Sequence, residues 1–213
     1  DSTAIWLGTD GKGLIKYNLQ TKKFEIIKPL GFPEDLSIYC ILQIEENNLL
    51  LGTPIGLYHY NKTKNECHLI LDLPLPKGNG GSEISCIIQA STDEIWVSFH
   101  GGGFMLYNLK TKKQIHYRND ESNPASLCSD QVNVMFIDSK GTLWVGTADG
   151  VNVFGGVSGK GLDRFNPETS TFTHFVHSDE DPTSLSNDNV ICINEDKNGF
   201  LWVGTRTGGL NKF

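Results

Sequence analysis

The sequence predicts an all-β fold built from repeated four-stranded antiparallel units, and two observations carry that prediction. A short apolar strand recurs five times in the chain, starting at positions 5, 49, 95, 143 and 201, with the widest interval between the last two copies. Each copy lies in the same series of short strands and polar turns, with almost no helical pattern between them. A four-stranded unit with a period of about 45 residues is typical of a β-propeller blade. We therefore predict a β-propeller fragment.

The strands of one unit follow each other in a constant order. The first is an apolar run such as ISCIIQA (84–90), as expected of an inner strand that is covered on both faces. A tight turn such as DSKG (138–141) leads to the recurring second strand. The third begins with Gly and ends in an aromatic residue, as in GLDRFN (161–166), and the fourth is a strand such as FTHFV (172–176). The second position of the recurring strand is Trp6, Leu50, Trp96, Trp144 and Trp202.

The repetition of Gly and Trp favours a structural role for both. We expect the Gly of the recurring strand and the Gly before the third strand to serve close sheet packing and a turn, and the Trp to fill a core position between blades. Blade segments are predicted at about 1–28, 37–72, 84–118, 131–177 and 189–213, within one propeller domain over 1–213. The first segment begins at its second strand and the last ends after its third, so both are incomplete, and we expect a portion of a longer ring.

Composition excludes several classes of function. A net charge of −7 and a pI near 5.3 argue against a nucleic-acid interface, which needs a basic surface. No apolar run is long enough to cross a bilayer. The stretch GGVSGKG (155–161) is one residue too short for a phosphate-binding loop, and Gly161 stands where Ser or Thr would hold the metal. No catalytic arrangement, cofactor site or metal-ligand spacing is indicated, so the predicted catalytic residues, cofactors and metal ligands are none.

The five cysteines also have a structural interpretation. Cys40, Cys86 and Cys192 share one register of the first strand, where the fourth copy has Val134. We expect these three to be small buried hydrophobic residues with free thiols. His116 and His174 share a register in the fourth strand, and the His174-x-x-His177 spacing without a third ligand is a weak metal signal.

Two stretches resemble the two-component regulator propeller repeats, namely SNPASLCSDQVNVMFIDSKGTLWVGT (122–147) and EDPTSLSNDNVICINEDKNGFLWVGTRTGGL (180–210). The resemblance implies the periplasmic sensor region of a hybrid two-component histidine kinase of Bacteroidetes. Such a receptor carries consecutive seven-bladed propellers, an immunoglobulin-like domain, a membrane helix, and cytoplasmic kinase and regulator modules. It also implies a signal that is a glycan-derived oligosaccharide or a partner protein. The resemblance further implies that the part of the receptor covered by this chain is not itself an enzyme.

A residue unique to one blade is a better functional candidate than one repeated in every blade. The fourth copy alone has a long turn between its second and third strands, which runs from Gly146 to Gly161, whereas the same turn of the first copy runs only from Gly8 to Gly13. This insertion is Gly-rich and supplies an aromatic ring with polar groups, as a sugar site requires. The predicted ligand-binding residues are Asp149, Asn152, Phe154 and Lys160, with His100 and Arg206 from the same turn of other blades. A purely structural loop is an equally good interpretation.

Three functions compete. The first is a sensor that binds an oligosaccharide, a small ligand or a protein, as part of a receptor that continues into further blades and dimerises. The second is a propeller enzyme such as a lyase or lactonase, for which only His100 and Asp149 are unrepeated candidates. The third is a protein-interaction scaffold. The Lys-rich turns at the other end of the blades are interleaved with acidic hairpins, which predicts a solvated and mutually neutralised edge.

Overall fold

The structure is a computed structural model that describes residues 3–72, 83–147 and 159–213, and these residues form five antiparallel sheets with no helix. The first sheet contains β1 (Ala4–Gly8), β2 (Leu14–Asn18) and β3 (Phe24–Ile27). The second contains β4 (Cys40–Glu45), β5 (Asn48–Thr53), β6 (Gly56–Asn61) and β7 (Glu66–Asp72). The third contains β8 (Ile84–Gln89), β9 (Glu94–Phe99), β10 (Gly103–Asn108) and β11 (Gln114–Tyr117). The fourth contains β12 (Val132–Ile137), β13 (Leu143–Thr147), β14 (Leu162–Asn166) and β15 (Thr171–Phe175). The fifth contains β16 (Val190–Glu195), β17 (Leu201–Thr205) and β18 (Gly209–Lys212).

Each sheet is a meander in which consecutive strands pair, and consecutive sheets pack on one another. The first strands β4, β8, β12 and β16 contact each other in that order, and β1 contacts β4. The prediction of an all-β propeller fragment with five blade segments, the first and last incomplete, is confirmed: the first and fifth sheets have three strands and the others four. The described residues contain no helix that could cross a membrane.

At the repeated second-strand position, Leu50, Trp96 and Trp144 fill the space between blades, as predicted, whereas Trp6 and Trp202 are half-buried. Trp96 belongs to a core cluster with Val132, Met135 and Phe165 of the next sheet. Trp144 packs in the same way against Val190 and Ile193. Both are only 7% exposed. Because a buried indole removes a large apolar area from water, these contacts are a main source of cohesion between the sheets.

The glycine near the end of the repeated strand allows close packing, and serine takes its place only in the third sheet. A Cβ at Gly146 would lie 2.5 Å from Cγ1 of Val190 in the next sheet and 2.7 Å from Cγ1 of Val134. Gly52 has the same surroundings, with Ile84 of the next sheet and Cys40 across the strand pair. Cys40, Cys86, Val134 and Cys192 all face the Gly or Ser of this register. The cysteine or valine therefore fills the space that the glycine leaves.

The burial expected of these cysteines is found only in part. All five cysteines are free, and burial raises the pKa of the Cys40 and Cys86 thiols, although both residues as a whole are half-buried. The expectation for Cys192 is wrong, because this residue is exposed. Among the described residues, β16 has a neighbouring sheet only on the side of β12, which explains the exposure of Cys192 in this portion of the chain.

The two ends of the sheets differ in character. We call the end with the turns between second and third strands, together with the loops that join the sheets, the insertion end. The opposite end, with the Lys-rich turns, is the lysine end. At the lysine end Lys110 forms an ion pair with Asp93, with Nζ and Oδ2 2.8 Å apart. This pair agrees with the interpretation of that edge as mutually neutralised.

Candidate functional site

The three predicted binding residues that the structure describes are separated along the insertion end. Lys160 precedes β14, His100 follows β9 and Arg206 follows β17, and all three are exposed. They belong to the fourth, third and fifth sheets, and among the described residues no hydrogen bond or ion pair joins them. Asp149, Asn152 and Phe154 lie outside the described residues, so the proposed role of the insertion stays a prediction.

A polar cluster that the sequence did not predict lies beside Lys160. It consists of Cys128 in the loop before β12, Asp163 in β14 and His174 in β15, and their ligand atoms lie within 4.8 Å of one another. Asp163 and His174 are direct cross-strand partners. The backbone N–H of Cys128 donates to Oδ2 of Asp163 at 2.8 Å, and Nδ1 of His174 lies 2.5 Å from Oδ1 of the same carboxylate. The carboxylate of Asp163 therefore joins the loop to the outermost strand.

The remaining contacts of the cluster orient its two other side chains. Nε2 of His174 lies 2.8 Å from the carbonyl oxygen of Pro124, to which it donates. Sγ of Cys128 lies 3.4 Å from Oγ1 of Thr147, whose own hydroxyl donates to the carbonyl of Gly161 at 3.1 Å. Since that hydroxyl proton is already used, the Cys128 thiol is the donor of the pair.

Burial and hydrogen bonding shift the pKa values of all three groups. Asp163 is fully buried, and burial raises the pKa of its carboxyl group against the lowering effect of the hydrogen bonds from Cys128 and His174. Burial alone would lower the pKa of His174, but the contacts with Asp163 and Pro124 outweigh it and raise the pKa. Burial also raises the pKa of the Cys128 thiol, with the Asp163 carboxylate adding to the effect. Without a further cation, Cys128 is protonated near neutral pH.

The arrangement does not suit nucleophilic catalysis. An active cysteine needs a base that takes its proton and a lowered pKa. Here both ring nitrogens of His174 contact other groups, and the pKa of Cys128 is raised instead. The chemistry that remains is metal binding or a buried ion pair.

The cluster opens into a cleft of about 310 Å³ at the insertion end. Cys128, His174 and Lys160 line it together with loop residues such as Asn119 and Asp120. The cleft thus combines one predicted binding residue with two members of the cluster. It is the point at which the base of the insertion meets the loop between the third and fourth sheets.

Sequence reasoning missed Asp163, although a signal was present. The same position of the third strand is Ile15, Tyr58 and Met105 in the first three copies, so a carboxylate there is unique to the fourth. The rule that favours residues unique to one blade would have selected it. His116 and His174 share a register, so the sequence pattern did not distinguish them. In the structure His116 is paired with Met105, whereas His174 is paired with Asp163.

The fifth sheet shows which part of this cluster belongs to the repeat. Ser186 and Asn211 occupy the positions of Cys128 and Asp163, and the Ser186 backbone N–H donates to Oδ1 of Asn211 at 2.9 Å. Oγ of Ser186 lies 3.2 Å from Oγ1 of Thr205, and this contact corresponds to the one between Cys128 and Thr147 at 3.4 Å. His177 also occupies a position that belongs to the repeat. Its Nδ1 donates to the carbonyl oxygen of Leu185, as the side-chain amide of Asn119 donates to the carbonyl oxygen of Leu127. His174 and His177 therefore do not act as a pair.

Comparison with known proteins identifies two of the repeats. Residues 126–149 and 184–207 match the family described as two component regulator propeller. The chain therefore carries two-component regulator propeller repeats in its fourth and fifth blade segments. Both matched segments run from the loop before a first strand to the turn after the repeated Trp strand, and the first contains Cys128.

The chain spans only a small part of the relatives that it matches. Histidine kinase P4 of Formosa agariphila is 30% identical over 157 residues, which make up 70% of this chain and 11% of that protein. Two extracellular domains assigned to hybrid two-component systems of B. thetaiotaomicron are similar in structure. The first has a TM-score of 0.74 and 22% identity and is matched over 99% of this chain and 26% of that one. The second has a TM-score of 0.62 and 19% identity, over 99% and 32%. The WD40 propeller domain of Doa1, with a TM-score of 0.66 and 10% identity over 100% of this chain and 61% of that one, shares the fold as well.

Proposed function

We propose that this chain is a portion of the extracytoplasmic sensor propeller of a hybrid two-component histidine kinase. The observation that carries the proposal is the match of two blade segments to the two-component regulator propeller family. The likeness to a histidine kinase and to extracellular domains assigned to hybrid two-component systems supports it. A periplasmic location follows from the same proposal. The kinase and regulator modules would lie elsewhere in the receptor.

The proposed role of the propeller is to bind an oligosaccharide derived from a glycan, or a partner protein, at the insertion end. Lys160 and the cleft beside it supply polar groups at the base of the insertion. Phe154 would supply the aromatic face that sugars stack on, and Asp149 and Asn152 would supply hydrogen bonds. His100 and Arg206 lie on neighbouring sheets at the same end and would contact only a larger ligand.

Binding rather than catalysis is the better proposal for this portion. In the described residues the one group of close Cys, His and Asp side chains lacks an activated nucleophile, since burial raises the pKa of the Cys128 thiol. His100, which the sequence singled out, is exposed, and its backbone N–H donates to the carbonyl oxygen of Glu83; no ion pair of its side chain is found among the described residues.

The experiment uses the complete extracytoplasmic region of the receptor on a glycan array, followed by calorimetry with the best oligosaccharide. Deleting residues 149–158 restores the short turn of the first copy. We expect this deletion to abolish binding, and Phe154→Ala to weaken it about five- to 150-fold, as for loss of one good aromatic contact.

Lys64→Gln is the matched control, because Lys64 is exposed at the lysine end. It should leave affinity unchanged. Unchanged affinity in the deletion variant, with its melting temperature preserved, would place the ligand elsewhere. No oligosaccharide bound, together with capture of a defined protein that the deletion abolishes, would favour the partner-protein form of the proposal.

A further inference from the structure

We propose that Cys128, Asp163 and His174 form a binding site for a divalent metal ion, with Zn²⁺ as the ion that this donor set favours. The three donors come from a loop and two paired strands of the fourth sheet, and their ligand atoms lie within 4.8 Å of one another. A thiolate, an imidazole and a carboxylate together suit Zn²⁺, whereas Mg²⁺ and Ca²⁺ prefer oxygen ligands alone. The site borders the cleft used in the proposed ligand-binding function, but the metal proposal does not depend on that function.

The hydrogen bonds of His174 point to a cation at Nδ1. Nε2 of this residue donates to the Pro124 carbonyl, while Nδ1 faces the Asp163 carboxylate. Both partners are acceptors, so a neutral imidazole would direct a lone pair at one of them. Either a second proton or a metal ion must therefore lie between Nδ1 and the carboxylate. A backbone carbonyl that accepts from the other ring nitrogen is the usual support of a metal-binding histidine.

A bound metal ion also satisfies charge balance. Asp163 is fully buried, and an ionised carboxylate in that position is costly without compensation. A Zn²⁺ ion held by one carboxylate, one thiolate and a neutral imidazole is a neutral unit. On binding, the Cys128 thiol releases its proton to water, and a protonated His174 releases its Nδ1 proton as well. The Cys128–Thr147 hydrogen bond is lost in exchange for the Zn–S bond.

The geometry needs only a small adjustment. With Zn–ligand bonds of about 2.0–2.3 Å, donor atoms in a tetrahedral site lie roughly 3.2–3.8 Å apart. The separation of 2.5 Å between His174 and Asp163 must widen and the largest separation, at most 4.8 Å, must shorten, each by about 1 Å. The side chain of His174 is 28% exposed and borders the cleft, which gives the ion access and leaves room for water as the fourth ligand.

The fifth sheet shows that the fold does not require these ligand types. Ser186 and Asn211 replace Cys128 and Asp163 there, and both are neutral. The Ser186 backbone N–H still donates to the Asn211 side chain, and the Ser186 hydroxyl still contacts Thr205. In the third sheet, His116 faces Met105 and has no carboxylate across the pair. Among the described residues, only the fourth sheet combines a thiol, a carboxylate and an imidazole at these positions.

The test is a Zn²⁺ titration of protein first treated with a chelator, read by competition with a chromophoric chelator. A parallel Co²⁺ titration monitors the thiolate-to-cobalt charge-transfer absorption. We expect one ion per chain and a cobalt–thiolate band. Cys128→Ser and Asp163→Asn should each weaken Zn²⁺ affinity at least 10- to 100-fold, by analogy with losses of supporting residues in metal sites. Both variants reproduce residues of the fifth sheet, so their melting temperatures without metal should stay close to that of the parent protein.

Cys86→Val is the matched control, since Val134 occupies the same register in the fourth sheet and the change removes a thiol outside the site. It should keep full affinity. A measurement on the unaltered protein completes the test: Zn²⁺ should slow alkylation of Cys128 but not of the exposed Cys192. Absence of stoichiometric binding, or binding and protection that do not involve Cys128, would overturn the proposal and leave a buried Asp163–His174 ion pair.

Discussion

The fourth and fifth sheets have nearly the same sequence framework, yet they differ in what surrounds it. In both, the loop before the first strand is held by a side chain of the third strand, Asp163 in one and Asn211 in the other. In the fourth sheet that side chain is fully buried and faces a histidine, whereas Asn211 is half-buried. The framework therefore needs only a hydrogen-bond acceptor at this position. The carboxylate, thiol and imidazole of the fourth sheet are additions that the fold does not demand.

The two sheets also differ in how tightly their second strands are packed. Gly146 lies against Val190 of the next sheet, while the Cβ direction of Gly204 meets only Cys192 and its own strand pair. Trp144 is 7% exposed and Trp202 is half-buried. The same five residues, LWVGT, thus have different energetic weight in the two sheets, and substitutions at matched positions should show it.

The largest expected effect is that of Gly146→Ala. The new Cβ would lie 2.5 Å from Val190 and 2.7 Å from Val134, both of which sit in packed strands. We expect a loss of about 2–3 kcal/mol in the free energy of unfolding, as for other overpacked cores. In this portion of the propeller, the new Cβ of Gly204→Ala meets only Cys192, whose sulfur lies at 2.5 Å, so that side chain can move and the loss should be below about 1 kcal/mol. Urea midpoints of the two variants give the comparison, and equal losses would contradict the interblade role of the glycine.

How far the sequence predicts this molecule depends on whether a feature repeats. The recurrence of the Trp strand along the chain was enough to predict the sheets, because every copy adds the same signal. The exposure of Cys192 could not be predicted from its register, since burial there depends on a neighbouring sheet. Asp163 and His174 lie on different strands and meet only through strand pairing, so their contact has no local signal. The ligand residues Asp149, Asn152 and Phe154 stay predictions.

Asp163→Ala should have the next largest effect. It removes the acceptor of the Cys128 N–H and the partner of His174 at a fully buried position. In the presence of a chelator we expect a loss of about 2 kcal/mol, the usual result of leaving buried donors unpaired. Asn211→Ala removes the matching acceptor of Ser186 where water can replace it, and should cost about half as much. If the two losses, measured from urea midpoints, are equal, burial of Asp163 does not matter to the framework.

The smallest expected effect concerns the aspartate that binds the Trp indole, and it has a defined pH dependence. Nε1 of Trp144 donates to Oδ2 of Asp138 at 2.9 Å, and Trp202 and Asp196 repeat the bond at the same distance. Partial burial acts to raise the pKa of Asp138, but the hydrogen bonds from Trp144 and the turn backbone outweigh it and lower the pKa. A carboxylate with a lowered pKa stabilises the fold above the unfolded-state value of 3.8, and this contribution is lost as pH falls through the lower folded-state value.

Substitution of this aspartate should therefore matter most near neutral pH. Asp138→Asn cannot accept all of these bonds and should cost about 1 kcal/mol there. The difference in melting temperature between variant and parent should shrink below about pH 4. Asp196→Asn should show the same trend, because the hydrogen bonds from Trp202 and the turn backbone also lower the pKa of Asp196. A difference that persists unchanged down to about pH 2 would mean that the indole bond does not depend on the charge of Asp138.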